Sequence, residues 1–268
     1  MHLIFIRHGD PDYAVDSVTP KGRREVTLLG ERIARIKVSA IYVSPMGRAQ
    51  DTAAACTEKL QEAGQTPPVT TMPWLREFSY PIVDPATGRS RIAWDWLPRV
   101  HFSHRKWHDV KRFYNTKAMR SGHIKEHYRQ VCRGLDEVLA AHGYTRVVPT
   151  LASPTLPVYR CKPHLSDAEA AVDTHLGVVQ RETDETTLVF VCHLGVMFVM
   201  LSHLTAVSPV QLWQSFFVAP SSVTIANAEE RVPGEVAFRL QCVGDTAHLR
   251  SSGEVVSASG FFGSCLSI

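Results

Sequence analysis

Four short segments hold residues that could act together in chemistry. Arg7-His8-Gly9 closes one apolar run, Ser44-Pro45-Met46-Gly47-Arg48 closes a second, and Cys192-His193-Leu194-Gly195 closes a third. A carboxylate, Glu77, follows a weaker run within Trp74-Leu75-Arg76-Glu77. If the runs are parallel strands, two histidines and two arginines converge on one rim of a sheet, beyond its carboxyl edge. Two guanidinium groups held together repel each other unless an anion lies between them, and their planar forks match phosphate oxygens. Arg48 would stand in the first turn of a helix whose free N–H groups also favour an anion. A neutral imidazole in such a pocket is a competent nucleophile towards phosphorus, and nearby arginines keep its pKa low. A departing alkoxide needs a proton, and Glu77 is the acid within the cluster that could donate it and later activate water.

The elements that must position these groups are legible in outline. His2–Ile6 reads as a short buried strand. Thr19–Ile36 reads as a helix, with Thr19 as N-cap, Pro20 at the first position, and Val26, Leu29, Ile33 and Ile36 on its buried face. Ala40–Val43 reads as a second strand. Ser44-Pro45 repeats the cap-plus-proline signal before a helix that buries Ala49, Ala53, Cys56 and Leu60. Val69–Trp74 reads as a third strand, and Tyr128, Val131, Leu135, Val138 and His142 mark a longer helix. Thr187–Cys192 is the strongest strand signal, with a helix over Gly195–Leu204 behind it. Val223–Ala226 and Val236–Cys242 read as a late strand pair around a Pro233-Gly234 turn. Strands alternating with helices imply an α/β sandwich with a mostly parallel sheet.

Residues 80–120 depart from this rhythm. They hold three of the five tryptophans, Trp94, Trp96 and Trp107, and read as a helical or irregular cap insertion over the site. The tryptophans are expected to pack this insertion onto the core rather than to line a leaving-group pocket. His101, His104 and His108 have helical spacing, but no second motif supports a metal site. Residues 149–165 hold four prolines and read as irregular. The expected organisation is one domain over residues 1–268.

Composition narrows the function. The chain has 268 residues, 44% of them hydrophobic and 21% charged, as in a globular protein in water. Its net charge of +3 suits a small anionic substrate and gives no reason to expect nucleic acid. The apolar runs are too short to span a bilayer, and Arg7 and His8 interrupt any secretory signal. Six cysteines without paired spacing fit buried thiols in a cytoplasmic enzyme. The oligomeric state has no signature here.

Leu3-Ile4-Phe5-Ile6-Arg7-His8-Gly9 resembles the signature of the histidine phosphatase superfamily, which includes the cofactor-dependent phosphoglycerate mutases. Tyr42-Val43-Ser44-Pro45-Met46-Gly47-Arg48-Ala49-Gln50-Asp51-Thr52-Ala53 resembles its second arginine motif. Trp74-Leu75-Arg76-Glu77 is similar to the segment of its acid/base glutamate, and Phe190-Val191-Cys192-His193-Leu194-Gly195-Val196 to that of its second histidine. The order is the family's, across residues 3–196. The resemblance implies a three-layer α/β/α sandwich and a reaction that needs no metal or other cofactor. It makes His8 the phosphorylated nucleophile and Glu77 the proton donor, with Arg7, Arg48 and His193 binding the phosphoryl group.

The sequence also departs from the pattern. Leu194 stands where the family often has the first of two glycines; it narrows the expected pocket but retains a backbone N–H. Ala14 replaces an asparagine usual in phosphoglycerate mutases. Phe78-Ser79-Tyr80-Pro81 replaces their Gly-rich, Trp-containing stretch. The last two differences favour a phosphatase. Asp10 and Tyr13 follow the nucleophile closely enough to touch substrate. The expected activity is phosphomonoester hydrolysis of a small phosphorylated metabolite. Its rivals are a mutase-type isomerase and a phospho-ligand binding protein without chemistry.

Overall fold

The computed structural model describes residues 1–96, 98–101, 103, 105–148, 157–164, 185–263 and 265. Its main sheet has eight strands: β1 (His2–Arg7), β2 (Ala40–Val43), β3 (Val69–Thr71), β4 (Thr145–Arg146), β5 (Val158–Arg160), β6 (Thr187–Cys192), β7 (Val223–Val232) and β8 (Glu235–Asp245). They lie in the spatial order β3-β2-β6-β1-β7-β8-β5-β4. The first four in this order are mutually parallel. The remaining pairings are antiparallel. The sheet is therefore mixed, parallel in the half that carries β1, β2 and β6; the Pro233-Gly234 turn, with Gly234 at φ +74°, folds β7 and β8 into a long hairpin.

Helices cover both faces of the parallel half. They are α1 (Pro20–Ile33), α2 (Gly47–Glu62), α3 (Pro98–His101), α4 (Lys117–Ser121), α5 (Ile124–Ala141), α6 (Leu194–Thr205), α7 (Pro209–Ser215) and α8 (Ala247–Arg250). Alternation along β1 sends Ile4 and Ile6 to one face and Leu3 and Phe5 to the other. The first face packs on Leu29 and Ile33 of α1 and on Ala49, Ala53, Cys56 and Leu60 of α2. The second packs on α5 and α6. Helix α6 is apolar all round, with Val196 through Leu201 buried; each such side chain contributes about 1.5–3 kcal/mol of burial.

Several expectations shift at element ends. Thr19 caps α1 by accepting from Gly22 N, but the helix stops at Ile33 and leaves Ile36 exposed. Ser44 is not the cap of α2; Met46 occupies that position without a side-chain bond. β3 ends at Thr71, and Pro73–Leu75 forms a 3-10 turn instead, since proline has no N–H for a ladder. Residues 149–156 lie outside the described residues, but Val158–Arg160, expected to be irregular, pairs with β8. Within 80–120, Pro81–Val83 pairs with Ser90–Ile92 as a hairpin, followed by short helical turns. Trp96 and Trp107 pack edge to face in the core, 5.0 Å apart. His104 and the side chain of His101 lie outside the described residues.

Candidate active site

Strand register brings the site together. Arg7 of β1 is paired with Cys192 of β6, and Val191 with Val43 of β2. His8, His193 and Ser44 therefore leave the same sheet edge side by side. Ladder-like bonds continue one step further, from His8 N to Cys192 O (3.0 Å) and from Ser44 N to Val191 O (3.0 Å).

His8 is buried, and its ring centroid lies 5.0 Å from that of His193. Its Nδ1 is 2.8 Å from the carbonyl of Gly9, an acceptor only, so Nδ1 carries the proton and donates. Its Nε2 accepts from Arg48 Nε at 3.3 Å and so bears the lone pair. Burial, and then the charges of Arg7 and Arg48, hold the imidazole pKa well below its ordinary value. The result is a neutral ring with a defined tautomer and the lone pair of its Nε2 against a guanidinium.

Arg48 enters from the first turn of α2. Its Nη1 pairs with Asp16, whose other carboxylate oxygen accepts from Gly47 N at 2.8 Å. The Tyr13 ring lies 5.4 Å from Arg48 Cζ, although Tyr13 is largely exposed. Arg7 is buried and donates to Val218 O (2.7 Å) and Ser259 O (2.9 Å), with Phe217 beneath its guanidinium.

His193 is fully buried. Its Nε2 lies 2.7 Å from Ser44 Oγ, and its Nδ1 makes no hydrogen bond. Burial and the surrounding positive groups also lower its pKa well below the ordinary value.

Glu77 is fixed by backbone donors. Its Oε1 accepts from Phe78 N (2.7 Å) and Val196 N (3.3 Å). Burial raises its pKa, while those bonds and the charges of Arg7 and Arg48 oppose the rise. The close approach requires Gly195: a Cβ there would stand 2.6 Å from Glu77 Oε1 and 2.5 Å from Trp94 Cδ1.

Five residues expected from the sequence, Arg7, His8, Arg48, Glu77 and His193, thus share one cluster. The Asp10 carboxylate accepts from Thr19 Oγ1 (2.7 Å) and Ser257 Oγ, which ties down the loop after His8. Leu194, the first residue of α6, lines a pocket next to the cluster.

Sequence reading missed Asp16, Ser44, Thr52, Glu25 and the segment 257–260. Thr52 Oγ1 holds Gly9 N at 3.0 Å. Buried Glu25 accepts from Asp10 N (3.1 Å) and Ser221 Oγ (3.2 Å). The conspicuous Ser44-Pro45 pair was a usable signal, read as a helix cap. Thr52 stands within the second arginine motif, which does not itself mark its bond to Gly9, and the others lack any local pattern that sets them apart.

Among the described residues, no group of three or more histidine, cysteine or acidic side chains is placed to hold a metal ion. None of the described helices is long and apolar enough to cross a membrane.

A mixed α/β sandwich with paired histidines, paired arginines and a half-buried glutamate at its parallel edge defines a class of phosphoryl-handling site. A family model for the histidine phosphatase superfamily (branch 1) matches residues 3–149. The chain belongs to that superfamily. No curated protein matches it in sequence. Among solved structures it is similar to YhfR of Bacillus stearothermophilus (18% identity, TM-score 0.53, 92% of this chain and 98% of that one). It is also similar to a mycobacterial glucosyl-3-phosphoglycerate phosphatase complexed with VO3 (14%, 0.51, 91% and 99%). A third is the α-ribazole phosphatase of Shigella flexneri (15%, 0.51, 91% and 96%). At these identities the likeness establishes the shared fold.

Proposed function

We propose that this chain hydrolyses phosphomonoesters of small molecules through a phosphohistidine formed on His8 Nε2. The observation that carries this reading is the hydrogen bonding of His8: Nδ1 donates to the Gly9 carbonyl, which leaves the Nε2 lone pair facing Arg48.

The substrate phosphoryl group enters between Arg7, Arg48 and His193, and draws the Arg48 Nε–H from His8 to its own oxygen. Nε2 attacks phosphorus as the ester P–O bond breaks. Protonated Glu77 gives its proton to the departing alkoxide. The guanidinium groups hold the charge on the three equatorial oxygens without moving, which is the larger part of catalysis in phosphoryl transfer. Ionised Glu77 then takes a proton from water, whose oxygen attacks the phosphohistidine. Inorganic phosphate leaves, and both His8 and Glu77 return to their starting states. Two features support a carboxyl that alternates between these roles: burial favours its neutral form, and the arginines favour its ionised form.

The test is hydrolysis of p-nitrophenyl phosphate and of an alkyl phosphate at pH 5–8 with EDTA present, using wild type and His8→Ala. Acid quenching after addition of a ³²P-labelled ester measures covalent phosphate. EDTA-insensitive turnover that drops by roughly 10⁴-fold or more in the variant, with loss of the labelled histidine, is expected. Full activity in a folded His8→Ala protein would overturn the mechanism. Interconversion of 2- and 3-phosphoglycerate with a bisphosphate primer, in place of hydrolysis, would assign a mutase.

A further inference from the structure

A pocket of about 730 Å³ borders the candidate active site, and its walls are aromatic. Trp94, Trp96, Trp213, Phe216, Phe217, Phe261 and Phe262 supply the aromatic part of its described lining. Its size is that of a small-molecule site rather than a packing defect. Three of its lining residues belong also to the catalytic surroundings. Phe217 lies under the Arg7 guanidinium, Gly260 packs against Arg7 Nη2, and Leu194 adjoins His193. A fourth, Trp94, borders Glu77, because both meet the space a Cβ on Gly195 would fill.

The pocket is held open by its own hydrogen bonds. Trp213 Nε1 donates to Gly195 O at 3.0 Å, and Gln214 Nε2 to Trp94 O at 3.1 Å. These bonds tie both the Trp94 segment and the start of α6 to α7. Trp94 Nε1 itself is buried and has no hydrogen-bond partner. A buried N–H without an acceptor is costly, and this one lies 2.8 Å from the place a Cβ on Gly195 would take, which is itself 2.6 Å from Glu77 Oε1. Charge gives a further restriction. The ionisable groups in the described lining are Arg91 and Asp95, one of each sign, and Arg91 also faces Asp84 at 3.7 Å. Nothing in that lining favours a second phosphate.

We propose that this pocket is the leaving-group subsite and that it selects monophosphates of alcohols with a flat, apolar ring, stacked on the aromatic walls, with the Trp94 indole N–H donating to the ester oxygen. This rests on the phosphohydrolase reading above. Aromatic faces are attractive to other rings by offset or edge-to-face contact, and such a ring removes from water the apolar rim formed by half-exposed Phe216 and by Phe262.

The test compares 2-naphthylmethyl phosphate with ethyl phosphate. Both release an alkoxide of similar basicity, so intrinsic leaving ability does not decide the outcome. The expected kcat/KM preference for the naphthyl ester is about 100-fold, falling at least about tenfold in the double variant Phe216→Ser/Phe262→Ser. Hydrolysis of both esters at equal kcat/KM would overturn the subsite and leave the phosphatase reading standing. Saturation-transfer NMR with the product alcohol, 2-naphthylmethanol, supplies an arm independent of catalysis. Ring signals in wild type that vanish in the double variant, without hydrolysis of either ester, would support the subsite and overturn the phosphatase reading. No ring signal and no preference would overturn the subsite.

Discussion

The Ser44 hydroxyl lies 2.7 Å from Nε2 of His193 and also accepts from Met46 N at 3.3 Å. The other nitrogen of that ring, Nδ1, has no partner. The tautomer protonated on Nδ1 can donate to a phosphoryl oxygen, and in it Nε2 accepts from the Ser44 hydroxyl, whose lone pairs still serve Met46 N–H. Ser44 thus supports the tautomer of His193 that the proposed reaction uses.

Ser44→Ala removes this support and leaves Nε2 buried without a donor. A net hydrogen bond of this kind is worth about 1 kcal/mol. We expect kcat to fall about 5–10-fold with KM little changed. Steady-state kinetics measures this, and unchanged kcat in Ser44→Ala would remove Ser44 from the positioning of His193.

Gly195→Ala tests the approach of α6 to Glu77. The added methyl meets Glu77 Oε1 at 2.6 Å and Trp94 Cδ1 at 2.5 Å, so one of them must move. Misplacement of a proton donor by about 1 Å can cost about 10²-fold in rate. The variant should fold, since alanine suits a helix. Circular dichroism together with kcat distinguishes displaced chemistry from lost structure.

The pH profile should have limbs displaced in opposite directions. Burial lowers the pKa of His8, so the nucleophile stays neutral well below pH 6.5. Burial raises the pKa of Glu77, so the acid stays protonated above the usual carboxylate range. Activity should therefore fall on the basic side as Glu77 ionises, when phosphorylation limits the rate. Glu77→Gln should abolish the basic limb and cost about 10²–10⁴-fold on an alkyl phosphate. The loss should be much smaller on p-nitrophenyl phosphate, whose phenolate leaves without a proton. Equal losses on the two esters would reject Glu77 as the acid.

Acid should weaken the fold through its buried histidines. Burial, with Arg32 adding, lowers His248 to about 4. A histidine with a lowered folded pKa favours the folded state above its unfolded pKa of 6.5. That contribution is lost as pH falls from 6.5 through about 4. Relative to His248→Gln, the wild-type Tm should drop by about 2–4 °C or more across this window. Thermal melts at pH 4–8 check it; a pH-independent difference would show that His248 is solvated.

The legible features were those written in local pattern. Apolar runs ending in Arg7-His8, in Ser44 and in Cys192-His193 disclosed the strands, and α2 buried the four residues its spacing predicts. The motifs carried Glu77 as well. Other readings failed because the same local signal has two uses. Ser44-Pro45 looks like a helix cap, yet Ser44 serves His193, 149 positions away. The role of Asp10 in holding Thr19 and Ser257 likewise has no local signal.

Residue types and their spacing were therefore enough for the layers, the converging strand ends and the kind of chemistry. Strand register and long-range packing settled the rest. They set the tautomer of His8, put a neutralising Asp16 against Arg48, drew Ser259 and Gly260 onto Arg7, and placed Trp94 beside Glu77. The physical reason is range. Helix and strand patterns arise from neighbours a few positions apart. A buried charge or proton takes its state from whichever groups the fold brings within a few ångströms, wherever they lie along the chain.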